Sequence, residues 1–193
     1  PARHNWAEVQ EKVKVVGRET GRVADADKLL AQHDAQWSAV QAQVAKAARK
    51  PHVLFVMSHA GSPQVSGKGT AANALIQYAG CVNAIDQFDG YKPLTAEALA
   101  SAAPEVIINT TQGIEALGGE AAFWKRPELA LTPAYAKKAL VTLEASHLLG
   151  FGPRLPTAVQ ALHMRSLQGG AGQEGRARQA GQTGLDQLHM LLQ

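Results

Sequence analysis

Apolar residues recur every three and four positions at the start of the chain. Trp6, Val9, Val13 and Val16 share one face, and Asn5 followed three residues later by Glu8 has the form of an N-terminal capping box. The pattern predicts a first helix over 6–19, closing around Gly17 to Gly21. From Asp25 a second stripe of Leu30, Trp37, Val40 and Val44 runs to about Ala48, a long helix whose narrow apolar face suits lying across a domain. The period changes at Pro51. Val53-Leu54-Phe55-Val56-Met57 is an unbroken apolar run between Pro51 and the Gly61-Ser62-Pro63 turn, as expected of a strand buried on both faces. Thr70 then caps a helix to about Ala79, and Thr95 caps another to about Ala103. Val106-Ile107-Ile108-Asn109 and Ala139 to Leu143 read as further buried strands, and Pro156 to about Met164 as a closing helix. Short apolar strands alternating with helices imply crossover connections and a parallel sheet, hence an α/β fold.

Three segments follow from this pattern: N-terminal helices over 1–50, an α/β lobe over 51–165, and a Gly/Gln-rich tail over 166–193. The tail carries Gly169-Gly170-Ala171-Gly172-Gln173-Glu174-Gly175-Arg176 and is expected to be flexible, with Leu185 to Leu192 a weak terminal helix. No repeat of solenoid period is visible. At 193 residues the chain has room for one generous domain, and 46% hydrophobic content supports a core. Aromatics make up 5%, so that core must rest on Ala, Leu and Val. The net charge of +3, from 19 basic against 16 acidic residues, is too mild and too dispersed to follow a phosphate backbone, which argues against nucleic-acid binding. A single cysteine, Cys81, excludes an internal disulfide and any cysteine-built zinc or iron–sulfur cage. No apolar run approaches the roughly 20 residues of a membrane-spanning helix. The first residues, Pro1-Ala2-Arg3-His4-Asn5, lack the apolar centre of an export signal, so the chain is expected to be either mature or a fragment.

Gly61-Ser62-Pro63-Gln64-Val65-Ser66-Gly67-Lys68-Gly69-Thr70 stands where a phosphate-binding loop belongs, between a buried strand and a helix. Its spacing departs from that pattern: five residues rather than four separate Gly61 from Gly67-Lys68, and Gly69 rather than Ser or Thr follows the lysine. No second strand ends in an aspartate to hold magnesium. The loop is therefore read as a ligand-facing surface, with a nucleotide-binding domain as the rival. His59 sits just beyond the strand, at the carboxyl end where open α/β sheets place ligands, and a neutral imidazole there can reach iron or an anion. His4, His33, His52, His147, His163 and His189 share no metal-ligand spacing and read as solvated or structural. Tyr91 falls in Gly90-Tyr91-Lys92-Pro93, expected as an exposed turn before a helix, where its phenol either packs on the helix cap or faces a ligand. Glu97 in the first turn of that helix is favourable for the helix dipole alone. No nucleophile–base pair or carboxylate pair stands out, so no catalytic constellation is expected.

Four stretches together resemble a known family. They are Met57-Ser58-His59-Ala60-Gly61-Ser62 with Gly67-Lys68-Gly69-Thr70-Ala71-Ala72; Gly90-Tyr91-Lys92-Pro93-Leu94-Thr95-Ala96-Glu97-Ala98-Leu99; Pro104-Glu105-Val106-Ile107-Ile108; and Leu148-Leu149-Gly150-Phe151-Gly152-Pro153-Arg154-Leu155-Pro156. From Val53 to about His163 the chain resembles the C-terminal lobe of the periplasmic hemin-binding proteins that serve ABC-type heme importers. These belong to a wider group that includes siderophore- and cobalamin-binding proteins, which stay open as alternative ligands. Residues 24–48 resemble the long helix joining the two lobes.

The resemblance implies one lobe of a class III periplasmic binding protein, with a Rossmann-like parallel sheet and no chemistry of its own. Heme would lie in a cleft between lobes, with His59 matching the iron ligand that some members draw from this lobe. The loop over 59–68 would contact the porphyrin, through Ser62, Gln64, Val65 and Lys68 among others. Lys68 and Arg154 are candidates for the propionates, and Tyr91 is a candidate contact but not the family's axial tyrosine. Glu97 resembles the carboxylate that docks on arginines of the membrane permease. The implied partners are heme, an ABC importer permease and an outer-membrane heme receptor pathway, and the implied compartment is the periplasm. The family's N-terminal lobe, with its axial tyrosine, has no counterpart in the sequence, so a helix face left uncovered is expected to favour a homodimer.

Overall fold

The computed structural model describes residues 4–58, 62–146 and 152–168. Helix α1 (Trp6–Glu19) starts where the pattern places it, the Asn5 side chain accepting the Glu8 amide at 2.8 Å. It packs on α2 (Val23–Lys46), which has 24 residues and so is about 36 Å long at 1.5 Å per residue. Trp6 stacks on Trp37 with ring centroids 5.3 Å apart, and Trp37 meets Tyr78 edge-on at 4.8 Å. Trp6 Nε1 also donates to Asp34 at 3.0 Å, satisfying the one polar atom of the indole. These rings tie both N-terminal helices to α3 (Ala71–Tyr78), and Trp6, Val9 and Val40 belong to the same buried cluster as the strands.

The sheet is built on β1 (His52–Met57), whose residues Val53 to Val56 are fully buried. On one edge β1 pairs in parallel with β5 (Val106–Thr110), which pairs in parallel with β6 (Leu140–Leu143). The other edge of β1 is shared. Its amino half pairs in parallel with β3 (Val82–Asn83), and its carboxyl half pairs antiparallel with β2 (Gln64–Ser66). A further strand, β4 (Tyr91–Pro93), lies antiparallel on β2. The remaining described helices are α4 (Ala96–Ala102), α5 (Thr111–Ala116), α6 (Glu120–Trp124), a 3-10 turn over Pro127–Leu131, α7 (Pro133–Lys137) and α8 (Leu155–Leu167). Helix α8 runs between α2 and α3, so the long helix is held on the lobe rather than projecting from it.

Two expectations change. Residues 61–70 are not a plain loop, because β2 runs through them, and Tyr91 lies in an edge strand instead of a turn. Both strands are three residues long and bounded by Gly or Pro, too short to show a period of two; pairing across the sheet, not local propensity, makes them. The other expected elements agree with the structure to within three residues at each end. Among the described residues no helix is long and apolar enough to cross a membrane. His59, His147, His189 and the tail from 169, including the expected helix over Leu185 to Leu192, lie outside the described residues.

Candidate functional site

Parallel strands bring their carboxyl ends to one edge, and side chains link the three strand ends there. Asn109, fully buried at the end of β5, donates from Nδ2 to Ser58 Oγ at 2.9 Å, while its Oδ1 accepts the Thr110 amide at 2.7 Å. Thr110 caps α5 by accepting the Gly113 amide at 2.9 Å. A Cβ on Gly113 would stand 2.6 Å from Asn109 Oδ1 and 2.8 Å from Thr110 Oγ1, so only glycine lets the helix start this close to the strand. Gln112 completes the link to β6: its Nε2 donates to Glu144, and its Oε1 accepts the Ala145 amide at 3.1 Å. The sequence reading had stopped at Asn109 as a strand end. Its signal is a polar run, Asn109-Thr110-Thr111-Gln112-Gly113, directly after an apolar strand.

The expected contact residues divide into two groups. Gln64, half-buried, pairs with Met57 at the carboxyl end of β1, and exposed Ser62 precedes it. The Leu94 amide donates to Pro63 O at 2.9 Å, which brings the start of α4, with its Thr95 cap and exposed Glu97, to the same rim. Arg154 stands at the N-cap of α8 and lines a cavity of about 460 Å³ beside α2, just beyond the end of β6. Lys68 and Tyr91 go the other way. Because β2 runs antiparallel to β1, Ser66 and its partner Tyr91 lie further from the carboxyl edge than Gln64 does, and Lys68 further still. Burial raises the Tyr91 phenol above its ordinary pKa. Val65 pairs with Val56, and its side chain is enclosed in the core with no surface left for a ligand.

The same ladder removes the nucleotide reading. The Gly67 amide donates to Gly90 O at 2.8 Å and the Lys68 amide to Phe88 O at 2.9 Å, so the N–H groups a phosphate would need are committed. A Cβ on Gly67 would lie 2.2 Å from Phe88 O, which accounts for this glycine as a close strand crossing and not as a phosphate cradle. Among the described residues no group of three His, Cys, Asp or Glu side chains could hold a metal ion. His163, expected to be solvated or structural, is buried, its Nδ1 2.8 Å from Ala79 O.

Residues 2–146 match the family model described as periplasmic binding protein. The chain belongs to the periplasmic binding protein family. Its fold is the class III α/β arrangement, with a parallel-dominated sheet flanked by helices. Among solved structures, the periplasmic heme-binding protein BhuT in complex with two hemes aligns with a TM-score of 0.82 at 43% identity, over 87% of this chain and 65% of that one. The periplasmic heme-binding protein RhuT from Roseiflexus sp. RS-1, in apo form, aligns at 0.78 and 31%, over 83% and 62%. The periplasmic heme-binding protein HutB of Vibrio cholerae aligns at 0.72 and 26%, over 86% and 64%. This periplasmic binding protein chain thus spans less than two thirds of the length of each. No curated protein matches it. Members of the family bind substrates, and the polar strand-end edge is where an open α/β sheet presents a ligand surface.

Proposed function

We propose that the chain is the lobe and long helix of a periplasmic protein that binds heme and delivers it to the permease of an ABC importer. The observation that carries this reading is the 43% identity and TM-score of 0.82 with BhuT, whose structure contains two hemes. The chain's own residues support it at the strand-end edge. His59 is the proposed iron donor, and it follows directly on Ser58, which Asn109 holds. Ser62, Gln64 and Arg154 stand at the rim to meet the porphyrin and its propionates. Lys68 and Tyr91 are proposed only as outlying contacts, and Val65, fully buried between β1 and β4, is not proposed as a contact. Glu97 in the first turn of α4 offers its carboxylate to basic groups of the permease. The protein works in the periplasm, downstream of an outer-membrane heme receptor, and releases heme unchanged without catalysing a reaction. Self-association is proposed through the groove between α1 and α2, where Val16 and Leu29 are exposed. A sedimentation run that gives only monomer at hundreds of micromolar removes that part.

Hemin titration tests the main reading. The expected result is a saturable shift of the Soret band, with His59→Ala weakening binding and moving the band. A wild-type protein that leaves the hemin spectrum unchanged, or that responds only to a ferric siderophore, overturns it.

A further inference from the structure

A further cavity lies at the other end of the sheet from the strand-end edge. The Ala134 amide donates to Pro104 O at 3.0 Å, which seats α7 at the amino ends of β5 and β6. Residues of α7, the end of α6 and the 3-10 turn enclose about 500 Å³ there. The walls carry the rings of Trp124 and Tyr135, set edge-on with centroids 6.0 Å apart, and Leu131, next in the chain to the lining residue Ala130, is 58% exposed. Three basic side chains, Lys125, Arg126 and Lys138, line the cavity against one acidic side chain, Glu120. Glu120 already accepts Trp124 Nε1 at 3.2 Å, and Arg126 is paired with Glu128 at 3.3 Å. The two lysines remain: among the described residues no acidic side chain pairs with either.

Lys138 ends α7 with φ 49°, a left-handed conformation that glycine adopts at less cost. Its ammonium rests 3.1 Å from the centroid of the Tyr135 ring and 5.4 Å from that of Trp124, so positive charge and aromatic surface stand together at the opening. Lys125, exposed, ends α6. We propose that this cavity is a docking site for an acidic segment of a partner protein, in which carboxylates alternate with apolar residues. The carboxylates meet Lys125 and Lys138, and the apolar residues between them pack on the aromatic wall. Arg126, held by Glu128, leaves no free guanidinium to clasp a small anion from two sides, whereas lysines on two separate elements beside aromatic walls suit an extended chain. The cavity stands apart from both the strand-end edge and Glu97 at the start of α4. A partner here can therefore engage the protein whether or not cargo is bound.

Fluorescence anisotropy with a labelled peptide, Glu-Glu-Leu-Ser-Glu-Glu-Leu-Ser, and its counterpart with every Glu replaced by Gln tests this. Wild type is expected to bind the acidic peptide saturably and about ten-fold more tightly than the Gln form, with a shift of the Trp124 indole N–H resonance by NMR. Lys138→Gly suits the left-handed backbone and so keeps the fold. Combined with Lys125→Gln it should weaken the acidic peptide about ten-fold, while Gln at Lys14 and Lys28, exposed on α1 and α2, changes binding by less than about two-fold. Equal binding of the two peptides overturns the proposal, as does an equal loss from the changes on α1 and α2, since either means attraction to net charge alone. Saturating hemin should leave the peptide affinity unchanged; hemin that displaces the peptide puts it at the strand-end edge and overturns the docking site. Phosphatidylglycerol vesicles that bind through Lys125 and Lys138, with no saturable binding of the peptide, give the face to a membrane and overturn it too.

Discussion

The carboxyl ends of β1, β5 and β6 are joined by a run of side chains, whereas their amino ends are joined mainly by backbone and buried apolar contact, with the surface Glu105 carboxylate alone bonding the His52 amide and Arg49. At the carboxyl edge Ser58, Asn109, Thr110, Gln112 and Glu144 pass hydrogen bonds from strand to strand. At the amino edge the Val82 amide donates to Pro51 O and the Glu105 amide to His52 O, both at 2.9 Å. There Cys81 is buried and Arg49 pairs with Glu105 at the surface. Backbone pairing needs no particular side chain, so the amino edge tolerates many sequences. The carboxyl edge depends on the few side chains that fix where the ligand-facing segments begin. A binding protein needs that precision at one end only, and this sheet concentrates its polar groups there.

If the carboxyl edge is the specified end, its removal should be the most damaging. Asn109→Ala leaves the Thr110 amide and Ser58 hydroxyl without their partner and opens a small void, for an expected loss of about 2–4 kcal/mol in urea unfolding. Hemin affinity should fall as well, because Ser58 is the residue before His59. A loss below about 1 kcal/mol would erase the distinction between the two ends. At the amino edge the corresponding buried group is Cys81. Burial pushes its thiol up to about 11 from 9.0, against the opposing effect of the Ser166 hydroxyl and with a small further rise from Glu105. The unfolded chain releases this proton near 9.0 while the folded chain retains it, so stability is intact below 9 and falls between 9 and 11. The fall should reach about 2–3 kcal/mol. Cys81→Ala removes that slope, and since Tyr91 titrates in both proteins, the difference between their unfolding curves isolates the thiol. Identical alkaline slopes would refute it.

Most of the frame was legible because it is repeated locally. Asn5, Thr70 and Thr95 each cap the helix expected of them, and the apolar run at Val53 to Val56 is buried on both faces as its unbroken pattern implies. What escaped is fixed by contacts distant in sequence. Ser66 and Tyr91 are 25 positions apart, and nothing near either one announces that they pair. Val65 entered as a ligand contact only through the family resemblance of the loop over 59–68; its burial follows from pairing with Val56, which the motif does not encode. The site was legible only as a place, the strand end after Met57. The Asn109 link to Ser58 spans 51 positions, and its geometry depends on Gly113, whose reason to be glycine is visible only once the strand and helix are packed.

The smallest effect belongs to the ion pair at the amino edge. Burial alone would raise the Glu105 carboxyl, but hydrogen bonds from Arg49 and the His52 amide, with the charge of Arg49, more than reverse this and hold it below 4.5. The carboxylate therefore contributes stability above its ordinary range, and that contribution disappears as pH falls through the lowered value. With the two side chains 55% and 37% exposed, solvent screens the pair, and the contribution should stay under about 1 kcal/mol. Arg49→Gln is expected to cost that much at pH 7 and progressively less as pH falls through the lowered value, and the cost should shrink in 1 M salt, where charges are screened within roughly 3 Å. Urea midpoints across that range measure it. A salt-independent loss as large as that of Asn109→Ala would mean that the amino edge, too, is specified by its side chains.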